Sequence, residues 1–127
     1  MEQKRSILIV DDDVDVSQMV KMILEKTGLY AVNICNRGNE AFKIIQDTRP
    51  ELVLLDIMMP DADGTDIADQ IQKDKSLALT RIVFMTALVS QTEVLKNSVI
   101  GGYPFISKPI SDETLLQRVK GFFEIRK

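Results

Sequence analysis

An α/β domain, built on a parallel sheet with helices on both faces, is the fold class this sequence predicts. Three observations lead there. Five short apolar runs alternate with segments of helical periodicity along the 127 residues, the order in which parallel strands are joined by helical crossovers. Three of those runs are continuously apolar, as strands buried on both faces should be. The hydrophobic share of 45% is enough to fill one core, and the length predicts one domain covering residues 1–127.

The strand candidates are Ser6–Val10, Tyr30–Cys35, Leu52–Leu55, Arg81–Met85 and Tyr103–Ser107. Between them lie amphipathic segments. The first places Val16, Met19, Val20, Ile23 and Leu24 on one helical stripe, and Gly28 stands where that helix should stop. Gly101 does the same for the fourth. The last helix aligns Leu115, Val119, Phe122 and Phe123, with Ser111 as N-cap and Asp112 and Glu113 in its first turn. Runs one, three and four are continuously apolar over Ile7–Val10, Leu52–Leu55 and Ile82–Met85, whereas run two interleaves Asn33 and run five contains Pro104. Proline donates no ladder hydrogen bond and prefers an edge. Interior strands 1, 3 and 4 with edges 2 and 5 match the flavodoxin-like (βα)5 doubly wound order 2-1-3-4-5.

Composition then narrows the chemistry. The chain has no histidine, which excludes a His general base, a Ser-His-Asp or Cys-His site and a His-based zinc site. A single cysteine, Cys35, excludes an internal disulfide and any multi-cysteine metal site. With no apolar run of about 18 residues and no cleavage pattern at the N-terminus, a cytoplasmic protein without membrane association is expected. Sixteen basic against nineteen acidic residues give −3, and no basic stripe points to nucleic acid.

What remains is gathered at the strand ends. Run one is followed by Asp11, Asp12 and Asp13, run three by Asp56, run four by Thr86, and run five ends at Ser107 before Lys108. In a parallel sheet these positions share the carboxyl edge, where ligands bind near the reversal of strand order. Asp11, Asp12 and Asp56 against Lys108 leave a local charge of −2, costly unless a cation is bound. Hard carboxylate oxygens suit Mg²⁺. With the cation in place, Asp56 has the chemistry to attack phosphorus and form an aspartyl phosphate, Lys108 to stabilise its oxygens and Thr86 to donate to one of them.

This constellation resembles the receiver domain of two-component response regulators (CheY-like). The matching stretches are Ile-Leu-Ile-Val-Asp-Asp-Asp at 7–13, Leu-Val-Leu-Leu-Asp-Ile-Met-Met-Pro at 52–60 with Asp63-Gly64, Met-Thr-Ala at 85–87 and Ser-Lys-Pro at 107–109. The resemblance implies Asp56 as phosphoacceptor, and Mg²⁺ held by Asp11, Asp12, Asp56 and the Met58 main-chain carbonyl. It further implies Thr86 and Phe105 as a switch pair, and a cis peptide before Pro109. The implied partners are a sensor histidine kinase or histidine phosphotransfer protein, and a downstream protein meeting the face of helix four, strand five and helix five. Hydrolysis of its own acyl phosphate is the implied enzymatic activity. No output module accompanies the receiver, so a free-standing receiver or a piece of a larger regulator or hybrid kinase is expected.

Blander readings stand beside this one. Asp11–Asp13 alone is a strand-to-helix turn with Asp13 as N-cap, Asp56 alone is a loop acid, and Phe105 alone is core. A phosphorylation-independent receiver-like interaction module is the alternative function. Dinucleotide and P-loop signatures are absent, and a haloacid-dehalogenase pattern would need a second aspartate where Met58 stands. Met58 and Leu88, two residues after Asp56 and Thr86, are apolar where the family often carries polar residues. They cannot orient a water, so slow loss of phosphate is expected.

Overall fold

The computed structural model describes residues 3–87, 99, 100 and 102–124. The main sheet strands are β1 (Arg5–Val10), β2 (Tyr30–Cys35), β3 (Leu52–Asp56), β4 (Arg81–Thr86) and β5 (Tyr103–Ser107). All are parallel, in the order β2-β1-β3-β4-β5. This is the flavodoxin-like order the apolar pattern predicts. The expectation for β5 needs one addition. A two-residue strand, Val99–Ile100, pairs antiparallel on its outer side, with Val99 opposite Pro104.

Alternation along the strands divides the interior into two cores. Ile7, Ile9, Leu52, Leu54, Val83 and Met85 point to one face, packed with Val20 and Leu24 of α1 (Val14–Glu25) and Leu115 and Val119 of the C-terminal helix (Asp112–Glu124). Leu8, Val10, Val53, Leu55 and Phe84 point to the other, against Ala41 and Ile45 of α2 (Gly38–Thr48) and Ile67 and Ile71 of α3 (Gly64–Lys73). Strands with side chains buried on both faces must be apolar throughout, which is why β1, β3 and β4 read as they do. Each fully buried aliphatic side chain contributes about 1.5–3 kcal/mol.

Local chemistry sets the element ends. Asp13 caps α1, its carboxylate accepting from the Val16 amide at 3.1 Å. Helix α1 ends at Glu25, and the chain turns through Gly28 at φ 76°. The amphipathic pattern of α1 needs a correction: Met19 is 42% exposed, and Ser17 is buried on the inner face instead. The stretch between β3 and β4 is also more than one helix. Met58–Met59 and Ala62–Asp63 form a tiny antiparallel hairpin around Pro60 and Asp61 before α3, and a 3-10 turn follows at Lys75–Leu77. Pro60 cannot sit inside a helix, and Asp63 caps α3 by accepting from the Thr65 amide at 2.8 Å. The fourth helix, Leu88 and Gly101 lie outside the described residues. Among the described residues, no helix is long and apolar enough to cross a membrane.

Candidate functional site

Register alone brings the polar strand ends together. Val10 is level with Leu55, so Asp11 arrives beside Asp56; Asp56 is level with Met85, and Thr86 with Ser107. Asp56 and Thr86 are the last residues of their strands, and Lys108 comes one residue beyond β5. The Lys108–Pro109 peptide is cis, and the Lys108 amide donates to the Thr86 carbonyl at 2.9 Å. The fold thus presents Asp11, Asp56, Thr86 and Lys108 from four adjacent strands.

Asp11, Asp12 and Asp56 each offer a carboxylate oxygen, and these atoms lie within 4.8 Å of one another. Asp11 is 0% exposed and Asp56 7%, while Asp12 faces solvent. The Lys108 ammonium donates to Asp11 Oδ2 at 2.7 Å but stands 3.7 Å from Asp56 Oδ1. Lys108 is therefore committed mainly to Asp11. Asp56 is left with too little compensation: burial, then the charge of Asp11, raises its pKa from 3.8 to about 6, against the pull of Lys108 and the Ile57 amide. For Lys108, burial acts downward, but the hydrogen bond and charge of Asp11, with Asp56 and Asp13 behind, outweigh it and raise the pKa. Three converging hard oxygen donors with an excess negative charge fit a hard divalent cation.

Thr86 is 1% exposed beside the cluster, and Phe105 is buried in the core under α2 and α3. Met58 is 66% exposed in the hairpin directly after Asp56. Cys35 is buried, its thiol pKa raised by that burial, and its Sγ donates to the Arg37 carbonyl at 3.1 Å.

Three supporting residues escape the sequence reading, and a fourth, Gly64, enters it only as part of the family match. Gly64 is required by contact: a Cβ there would lie 2.1 Å from the Asp56 carbonyl oxygen. Asp61 accepts from the Gly38 and Asn39 amides at 3.2 and 3.1 Å, capping α2, whose own N-cap Arg37 makes no side-chain cap. Asn36 donates to the Asp11 carbonyl at 2.7 Å and to Ser17 Oγ at 2.9 Å. Two of these left a signal. Asn36 follows run two as Asp56 follows run three, and Ser17 is a polar interruption of the apolar stripe three residues before Val20.

The sheet order and the acidic carboxyl edge define a class, and sequence comparison agrees with it. Residues 7–120 match the response regulator receiver domain model, and the chain belongs to that family. It is similar to the chemotaxis protein CheY4 of Vibrio cholerae at 26% identity over 94% of this chain and 98% of that one, with a TM-score of 0.80. It is likewise similar to the signal receiver domain of a signal transduction histidine kinase from Syntrophus aciditrophicus, at 31% identity over 97% and 92% of the two chains and a TM-score of 0.81. A third likeness is the receiver domain of a DNA binding response regulator from Colwellia psychrerythraea 34H, at 25% identity over 95% and 99%, TM-score 0.80.

Proposed function

We propose that this receiver domain takes a phosphoryl group onto Asp56 from a phosphohistidine on a partner protein, a sensor histidine kinase or a histidine phosphotransfer protein. The observation that carries this is the Asp56 carboxylate at the sheet edge, 3.7 Å from the Lys108 ammonium and gathered with the Asp11 and Asp12 oxygens. An Asp56 oxygen attacks phosphorus; the P–O bond forms as the P–N bond breaks, and its electron pair returns to the partner's imidazole. The donor histidine must come from elsewhere, because this chain contains none.

Asp11, Asp12, Asp56 and the Met58 main-chain carbonyl would hold Mg²⁺, which when bound neutralises charge on the transferring oxygens. Lys108 supplies a cation to those oxygens, and the Thr86 hydroxyl donates to one of them. Water attack on the acyl phosphate later restores the Asp56 carboxylate and releases inorganic phosphate.

The signal is carried by Thr86 and Phe105. Both side chains are buried here, and in the inward arrangement the Thr86 hydroxyl is turned towards Asp56. A hydrogen bond from Thr86 to the new phosphoryl group raises the share of that arrangement, and the face of the fourth helix, β5 and the C-terminal helix presents it to a downstream protein. Incubation with Mg²⁺ and a small phosphodonor tests the reading by intact mass. The parent should gain one phosphoryl group and Asp56→Asn none; an unmodified parent, or equal modification of the variant, overturns it.

A further inference from the structure

We infer that Asn36 is a positioning residue for the acidic cluster, acting with Ser17 as a clamp on the loop that carries Asp11 and Asp12; this rests on the phosphoacceptor reading above. Ser17 is buried on α1, and its single hydroxyl proton is committed to the Asp13 carbonyl at 2.7 Å, with the Val14 carbonyl further off at 3.2 Å. A lone pair of its oxygen therefore faces Asn36, and only a donor satisfies it. The Asn36 amide group has two N–H bonds and uses both, one to Ser17 Oγ at 2.9 Å and one to the Asp11 carbonyl at 2.7 Å.

The consequence runs through the planar peptide. Holding the Asp11 carbonyl oxygen fixes the plane of the Asp11–Asp12 bond, and with it the direction in which the Asp12 Cα leaves. The Asp13 amide closes the same loop by donating to Asp11 Oδ1 at 2.9 Å. Two carboxylates of the cluster are thereby aimed from one polar clamp, which no apolar or acidic side chain at position 36 reproduces. An aspartate there would set an acceptor against the Asp11 carbonyl and the Ser17 lone pair.

The test is a double-mutant cycle read by calorimetric titration with Mg²⁺ alone, in the unphosphorylated protein. Asn36→Leu and Ser17→Ala should each weaken Mg²⁺ binding, Asn36→Leu by about tenfold. The double variant should be little worse than Asn36→Leu, because the two residues act as one unit. Ile45→Val, buried in the opposite core, lowers stability without touching the clamp and should bind Mg²⁺ as the parent does. If Asn36→Leu is misfolded, Ser17→Ala carries the same comparison. Folded clamp variants with parental affinity overturn the inference while leaving the phosphoacceptor reading intact. A parent that binds no Mg²⁺ overturns both, and an Ile45→Val loss equal to that of the clamp variants reduces the effect to stability and overturns the clamp.

Discussion

Replacing Asp56 by asparagine should make the metal-free protein more stable at neutral pH. The folded carboxyl titrates at about 6 instead of 3.8 because burial and Asp11 disfavour its charge. That gap corresponds to about 3 kcal/mol of differential free energy. Water is largely excluded from a residue 7% exposed, so about 3 kcal/mol is the ceiling at full ionisation. The sign follows from proton linkage. A carboxyl with a raised folded pKa contributes stability that is fully present below 3.8 and is lost as pH rises through about 6. Asparagine has nearly the same shape and no charge, so its advantage should be near zero at the acid end of that window and largest above it. At pH 7.5 the expected gain of up to about 3 kcal/mol corresponds to a rise of roughly 10 °C in Tm. Urea unfolding followed by far-UV circular dichroism in EDTA is the assay, since the chain has no tryptophan to report. Adding Mg²⁺ should narrow the gap by stabilising only the parent. A variant no more stable than the parent at pH 7.5, or an advantage as large at pH 4 as at pH 7.5, would refute the reasoning.

Three further outcomes follow from single contacts. Gly64→Ala should cost at least about 3 kcal/mol and displace the Asp56 backbone, because the new Cβ meets a carbonyl oxygen at 2.1 Å with no flexible side chain to yield; urea titration and phosphodonor labelling read both effects, and parental values in each would refute it. Arg49→Gly should stabilise by about 0.5–1 kcal/mol, since Arg49 ends α2 at φ 48°, a left-handed conformation that suits glycine; an unchanged or lower denaturation midpoint is the contrary result. Met58→Asn should shorten the lifetime of the Asp56 phosphate several-fold, on the order of 1 kcal/mol in barrier, by supplying a polar group at an exposed position two residues from the acceptor. Decay of the phosphorylated mass with time measures it, and an equal or longer lifetime removes the argument.

How much was legible beforehand depends on the range of each interaction. The five strands and their order could be read because burial on both faces leaves a continuous apolar record in β1, β3 and β4. The acids could be read because a strand-end position is a matter of counting. The hairpin after Asp56 is not legible in the sequence, since two-residue strands leave no period to detect, although Pro60 marks a break. Periodicity places Met19 on the inner stripe of α1 because it ranks side chains by polarity, whereas Ser17 occupies that face, where its hydroxyl has partners.

The sequence by itself determined the architecture and which residues could carry the chemistry: the alternation of apolar runs, the absence of histidine, and Asp11, Asp12, Asp56, Thr86 and Lys108 at the ends of their strands. Tertiary structure alone decided how those residues divide the work. Lys108 is bonded to Asp11 and stands further from Asp56, so burial and the charge of Asp11 outweigh its pull and raise the pKa of the Asp56 carboxyl. Asn36, 25 positions from Asp11, holds the loop that presents the other acids. Periodicity and spacing report a residue's relation to its neighbours in the chain, whereas a hydrogen bond depends on ångström distances set by the packing of every strand and helix between its partners.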